Sequence, residues 1–99
     1  MVLIVSGKKT PEGLLLVITD QEILGKIYEE GKLQLDLTQK FYQGEEKSKK
    51  EIKLLLSKSR HLHLTGKEAV ALGVEFGLVN PNKILYISQV PHAEVIIEH

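Results

Sequence analysis

Three histidines carry the most chemistry in this chain. His61 and His63 stand two apart, and His92 follows Pro91. A spacing of two puts His61 and His63 on one face of a strand. With His92 and a carboxylate they could ligate a metal through imidazole and oxygen. The competing account is simpler: Leu62 and Leu64 face the core and both rings face water. With no cysteine and no helical H-E-x-x-H pair, neither metal nor cofactor is expected. A neutral histidine in a turn at Pro91-His92 could bind or shuttle a proton near pH 7, or simply hydrogen-bond the turn. Phe41-Tyr42-Gln43-Gly44-Glu45 is similarly double-edged, with Phe41 expected in the core and Tyr42 and Glu45 free to line a cleft. Tyr42, Gly44, Glu45, His63 and His92 therefore form a candidate cleft for a small ligand or a small enzyme, provided that they converge in space. No Ser or Cys stands beside a base and an orienting group, so no catalytic residue is assigned. Thr65-Gly66-Lys67 at a helix start invites a phosphate. The P-loop, however, needs Gly at position 61 and Ser/Thr at position 68, where this chain has His61 and Glu68.

Charge is the second source of chemistry. The chain has 13 basic and 13 acidic residues, so no overall field points to a nucleic acid or a membrane. Its distribution is uneven. Residues 40–60 carry seven basic side chains against three acidic ones, whereas residues 1–39 carry four against six and residues 61–99 two against four. Lys47, Lys49, Lys50, Lys53 and Lys58 dominate the middle segment. They could contact RNA phosphates or an acidic partner, or form only the solvated face of a helix. Arg60 is the lone arginine, so bidentate reading of bases is disfavoured while contact with a phosphate backbone is not.

The elements that must position these groups fit one domain of 99 residues. The longest apolar run, Leu14 to Ile18, is too short for a membrane span, and no signal peptide is read at the N-terminus. A cytoplasmic protein is expected. Apolar runs 2–6 and 14–19, joined by a Gly- and Pro-containing loop over 7–13, read as a β-hairpin. Thr19 with Glu22, and Thr65 with Glu68, have the spacing of capping boxes, so helices should start there, the first ending at Gly25. Glu29-Glu30-Gly31 reads as a turn before a strand over 32–37. Thr38 is a candidate cap for a short helix through Phe41 and Tyr42. Residues 46–58 form a charged helix with Ile52, Leu55 and Leu56 on its buried face. Glu46 and Lys50 stand as an i,i+4 pair, and Leu54 is stranded among the lysines. Strand 61–64, helix 67–76 and strand 84–87 read as a βαβ unit with a parallel pair. A turn over 90–92 and a last strand over 94–97 complete the chain. The fold class is α+β: a small mixed sheet with helices packed on it and one βαβ crossover in the C-terminal half. The last strand has few charges, and its edge could pair with a copy of itself.

Five segments occur together and in order: Asp20-Gln-Glu-Ile-Leu-Gly-Lys26, Lys40-Phe-Tyr-Gln-Gly-Glu45, Leu64-Thr-Gly-Lys-Glu-Ala69, Gly77-Leu-Val79 and Val90-Pro-His-Ala93. This set resembles the archaeal uncharacterised family known as domain of unknown function 424, over essentially the whole chain. Lys40 and Gln43 depart from that family's Arg-Phe-Tyr-Gly-Gly-type segment. His63 stands where the family more often has Asn, and Pro91-His92 matches. The resemblance implies an archaeal, cytoplasmic α/β protein encoded among translation genes, with no established activity. The expected function is a non-catalytic module binding ribosomal RNA or a translation-related protein, in translation or ribosome biogenesis. A small enzyme or ligand binder and a self-associating structural protein are the alternatives.

Overall fold

The computed structural model describes residues 2–98. Strands β1 (Leu3–Thr10) and β2 (Gly13–Asp20) form the expected hairpin. They continue further than the apolar runs suggested, because Thr10 pairs with Gly13 and only Pro11 and Glu12 form the turn. The Thr10 hydroxyl closes it with a 2.6 Å bond to the Gly13 carbonyl. A 3₁₀ turn at Gln21–Ile23 leads into a second hairpin, β3 (Ile27–Glu30) and β4 (Leu33–Asp36). Glu29 and Glu30, expected in a turn, are thus strand residues, and the reversal falls at Gly31-Lys32. A 3₁₀ turn at Lys40–Tyr42 precedes β5 (Glu45–Glu46) and helix α1 (Lys49–Leu56). Then come β6 (Ser59–Thr65), α2 (Lys67–Glu75), a 3₁₀ turn at Pro81–Lys83, β7 (Leu85–Ile87) and β8 (Val90–Ile96).

The main sheet has six strands in the order β5-β1-β2-β6-β8-β7. Its parallel pair is β2 with β6, and its other contacts are antiparallel. The protein is therefore an α+β domain with a mixed sheet, as its sequence predicts. The crossover helix α2 is also present, but β6 and β7 are not neighbours. Both run antiparallel to β8, which lies between them. The turn expected at 90–92 falls instead at Ser88 and Gln89, both at positive φ (47° and 70°), the conformation of a type I′ hairpin. Pro91 and His92 consequently sit inside β8.

Alternation along the strands separates two faces. Leu16, Ile18, Leu62, Leu64 and Ala93 join Ile52 and Leu56 of α1 and Ala69, Val70 and Leu72 of α2 in the main core. The opposite face is covered in part by a smaller cluster, with Leu35, Leu37, Ile87 and Val90 at its centre and Tyr28 and Tyr42 packed against it.

One polar contact fastens the first core. Both expected capping boxes are absent. Thr19 and Thr65 are fully buried strand residues (0% exposed). The Thr19 hydroxyl has no partner among the described residues, and the Thr65 hydroxyl bonds to His92. The cap of α2 comes from Asp20, at the end of β2. Its carboxylate accepts from the backbone N–H groups of Glu68 (3.0 Å) and Ala69 (2.8 Å). Burial pushes this carboxyl above its ordinary value, against the lowering effect of those two bonds. The approach requires Gly66, which has φ +107°. A Cβ there would lie 2.3 Å from Asp20 Cγ. Helix α1 has a true capping box one turn later than the charged segment suggested: Glu51 N–H donates to Ser48 Oγ (3.1 Å), and Ser48 N–H donates to Glu51 Oε1 (3.0 Å).

Replacing Asp20 with Ala should cost about 1–2 kcal/mol, the range of a lost helix cap. Gly66→Ala should cost more, because it adds positive-φ strain and a clash. Urea denaturation of the two variants checks this order, and equal stabilities would contradict it.

Candidate functional site

The period-two alternation of β6 and β8 brings the expected histidines together. His61, His63 and Thr65 share the face opposite the helices, and their partners on β8 are Ile96, Glu94 and His92. His92 Nε2 lies 2.9 Å from Glu94 Oε2, and His92 Nδ1 lies 2.9 Å from Thr65 Oγ1. The bond from His92 holds the Glu94 carboxyl below its ordinary value. An ionised Glu94 can only accept, so Nε2 carries a proton, and in the neutral ring the Thr65 hydroxyl donates to Nδ1. His63 Nε2 stands 3.7 Å from the other Glu94 oxygen, and its ring meets that of His92 edge-on at 6.1 Å. Phe41 packs on His63 at 5.6 Å and on Tyr42 at 5.1 Å, while Lys8 Nζ lies 5.1 Å from the Phe41 ring centre.

The pieces of the expected cleft thus divide. Tyr42, His63 and His92 meet on one face. Gly44 and Glu45 do not join them: Glu45 pairs with Val5 at the β5 edge of the sheet and reaches Lys47 at 3.4 Å. Gly44 is a packing residue, since a Cβ on it would lie 2.2 Å from the Val5 carbonyl oxygen. Thr65, Glu94 and Phe41 take the vacant places. The alternation of His92 with Glu94 could have shown this, but it was hidden by reading Pro91-His92 as a turn.

Burial lowers the His63 pKa. Glu94 opposes that shift, and His92 and His61 add to it. Burial raises the Tyr42 phenol, with help from Glu94 and Asp36. The Thr65 hydroxyl is fully buried, so it anchors the His92 ring and does not face a substrate. Among the described residues, no group of three or more His, Cys, Asp or Glu is placed to hold a metal ion.

The lysines divide as well. Lys47 reaches Glu45 and, at 4.0 Å, Glu51. Lys49 pairs with Glu75 of α2 and lies over the Phe76 ring. The expected Glu46–Lys50 pair is not formed, because Glu46 belongs to β5. Lys50, Lys53 and Lys58 are exposed and have no acidic partner among the described residues. Leu54, 64% exposed, stands one turn from Lys50 on the outer face of α1, and Lys58 lies in the turn beyond the helix end.

The strand expected over 94–97, with an edge that could pair with a copy of the chain, corresponds to the C-terminal part of β8, which ends at Ile96 and is bonded to β6 on one side. β7 covers the other side only at residues 90–92.

A six-stranded mixed sheet with two helices on one face and a small hairpin on the other defines a small α+β domain. The family described as "Protein of unknown function (DUF424)" matches residues 8–97, and the chain belongs to it. A solved structure described as an uncharacterized conserved protein from Methanopyrus kandleri shares the fold. It superposes with a TM-score of 0.81 at 17% identity, over 100% of this chain and 96% of that one. No curated protein matches. Among the described residues no helix is long and apolar enough to cross a membrane.

The histidine cluster makes stability depend on pH in a definite direction. The folded state holds the His63 pKa below its ordinary 6.5. Below pH 6.5 the unfolded chain therefore takes up a proton that the folded chain resists, and stability falls with acidification. Glu94, also lowered, adds a loss further down, as pH falls from its unfolded value through its folded one. Urea midpoints measured from pH 7.5 down to 5.5 should fall, and His63→Gln should flatten the fall. An unchanged slope in that variant would remove His63 as the cause.

Proposed function

We propose that the protein is a non-catalytic RNA-binding module that contacts phosphates through the outer face of α1 and the turn that follows it, with ribosomal RNA the first candidate. One observation carries this reading. Lys50, Lys53 and Lys58 are exposed and have no acidic partner among the described residues, whereas Lys47 and Lys49 are tied to Glu45, Glu51 and Glu75. Charges with no part in the fold remain free to displace counterions from a phosphate backbone. Lysine suits this task as a mobile point charge, without the planar fork that reads guanine. Residues 47–58 contain no aromatic side chain, so the outer face of α1 has no stacking platform of its own and implies binding by charge and shape rather than by base identity. A role in translation or ribosome biogenesis follows if the RNA is ribosomal.

Sedimentation with purified ribosomal subunits and with bulk structured RNA tests the reading. If each of the three free lysines neutralises one phosphate, log affinity should fall against log salt with a slope of about −2 to −3. Reversing Lys50, Lys53 and Lys58 together to Glu should weaken binding by at least about ten-fold. Binding that survives this reversal, or is absent at low salt, would reject the α1 face as an RNA surface.

A further inference from the structure

A second surface lies between α2 and the sheet edge formed by β7. A groove of about 400 Å³ has Val70, Ala71 and Val74 of α2 as one wall and Ile84 and Tyr86 as the other, with Lys67 at the helix start. Lys67 is the one charged side chain lining it among the described residues. No acidic residue lines the groove, although the molecule as a whole has as many acids as bases. Tyr86 is 54% exposed.

The backbone along this groove is equally specific. In a hairpin with a two-residue turn, the residues flanking the turn form a hydrogen-bonded pair and the next pair does not. The turn at Ser88 and Gln89 makes Ile87–Val90 the bonded pair, Tyr86–Pro91 the unbonded one and Leu85–His92 bonded again. The N–H and C=O of Tyr86 therefore point away from β8, along the free edge. They have no backbone partner among the described residues. Pro91 fits this register, since its own carbonyl faces the other way and accepts from Gly66 N–H at 2.9 Å. The other face of β7 is already taken, because Ile87 packs with Leu35 and Tyr28 of the small hairpin. The open positions on β7 are thus one polar edge and one apolar groove, both suited to a chain running parallel to the strand.

We propose that this groove docks an extended segment of a partner protein, which adds to β7 as a further strand, buries alternate apolar side chains against α2 and places an acidic residue near Lys67. The occupant follows from the geometry. An unpaired strand edge calls for backbone. A groove to one side of that edge takes every second side chain of the added strand. Lining charge of one sign selects the opposite sign. The surface is separate from the outer face of α1, so the proposal stands or falls independently of RNA binding.

The test is to pan a phage-displayed library of random peptides on the full chain, in parallel with Ala71→Arg. Ala71 is exposed on α2, and Arg is a good helix former, so this variant fills the groove without disturbing the core. A second variant, Tyr86→Pro, deletes the outward N–H at an edge position where proline is tolerated. The expected result is a consensus of alternating apolar residues flanked by Asp or Glu. The synthetic consensus peptide should shift the backbone amide signals of residues 70–74 and 84–87. Its affinity should fall by at least about ten-fold in Ala71→Arg while the urea midpoint of that variant stays near that of the parent chain. Any of three results overturns the proposal: no consensus, a consensus that binds Ala71→Arg equally well, or amide shifts confined to other surfaces.

Discussion

The bond from the Asp20 carboxylate to the start of α2 is the contact on which the architecture turns. It joins residues 48 and 49 positions apart. It also fixes where β2, β6 and α2 meet, because Asp20 ends β2 and Gly66 follows the last residue of β6. A carboxylate at a helix N-terminus satisfies two free N–H groups and opposes the positive end of the helix dipole. Desolvation works against it, as the raised pKa shows. The geometry is possible because Gly66 has no side chain. A helix start that would otherwise be open to an external anion is thereby filled from within, which directs attention to other surfaces for function.

The same contact explains which parts of the fold were legible in the sequence. The first hairpin rests on two aliphatic runs and a turn, all local, and it was found. The α+β class rests on short strands alternating with amphipathic helices, also local. The cap of α2 was misassigned because Thr65 and Glu68 have the right spacing, whereas the group that wins lies far away on another strand. The parallel pair was misplaced for a related reason. β6 and β7 flank a crossover helix, yet β8 enters between them, and nothing within residues 61–87 carries that information. The turn at Ser88-Gln89 lacks the Gly or Asn that usually marks positive φ, whereas Pro91 attracted a turn that it does not make. Proline is tolerated there because its nitrogen faces Gly66, just beyond β6, whose carbonyl already accepts from Val70 N–H at 3.0 Å.

The candidate site was legible to the same degree. His63 and His92 do meet, but through strand pairing rather than through a turn, and pairing is what brings Glu94 and Thr65 to them. Gly44 and Glu45 were grouped with Tyr42 because they follow it in sequence. A 3₁₀ turn followed by a new strand sends them to the opposite edge of the sheet. The exposed Leu54 was anomalous on helical periodicity alone and remains so in the structure, on the outer face of α1 beside Lys50.

The pattern of satisfied and unsatisfied polar groups separates what holds this domain together from what it offers outward. Thr65, His92 and Glu94 are bonded in series, each using the other as partner, and Phe41 lies on the neighbouring His63 ring. That arrangement ties the 3₁₀ turn at Lys40–Tyr42 to the sheet through close packing and directional bonds, and it leaves the buried hydroxyl of Thr65 no freedom to act elsewhere. Lys47 and Lys49 are likewise engaged, one with β5 and the start of α1, the other with α2. The bond that holds the buried Thr65 hydroxyl counts most, because a polar group buried without a partner is costly, whereas the half-exposed Lys49–Glu75 pair contributes little. The charges on the outer face of α1 and the backbone edge of Tyr86 are under no such obligation. They are solvated at little cost in the free protein, so contacts made there by a partner can be added without taking any from the fold.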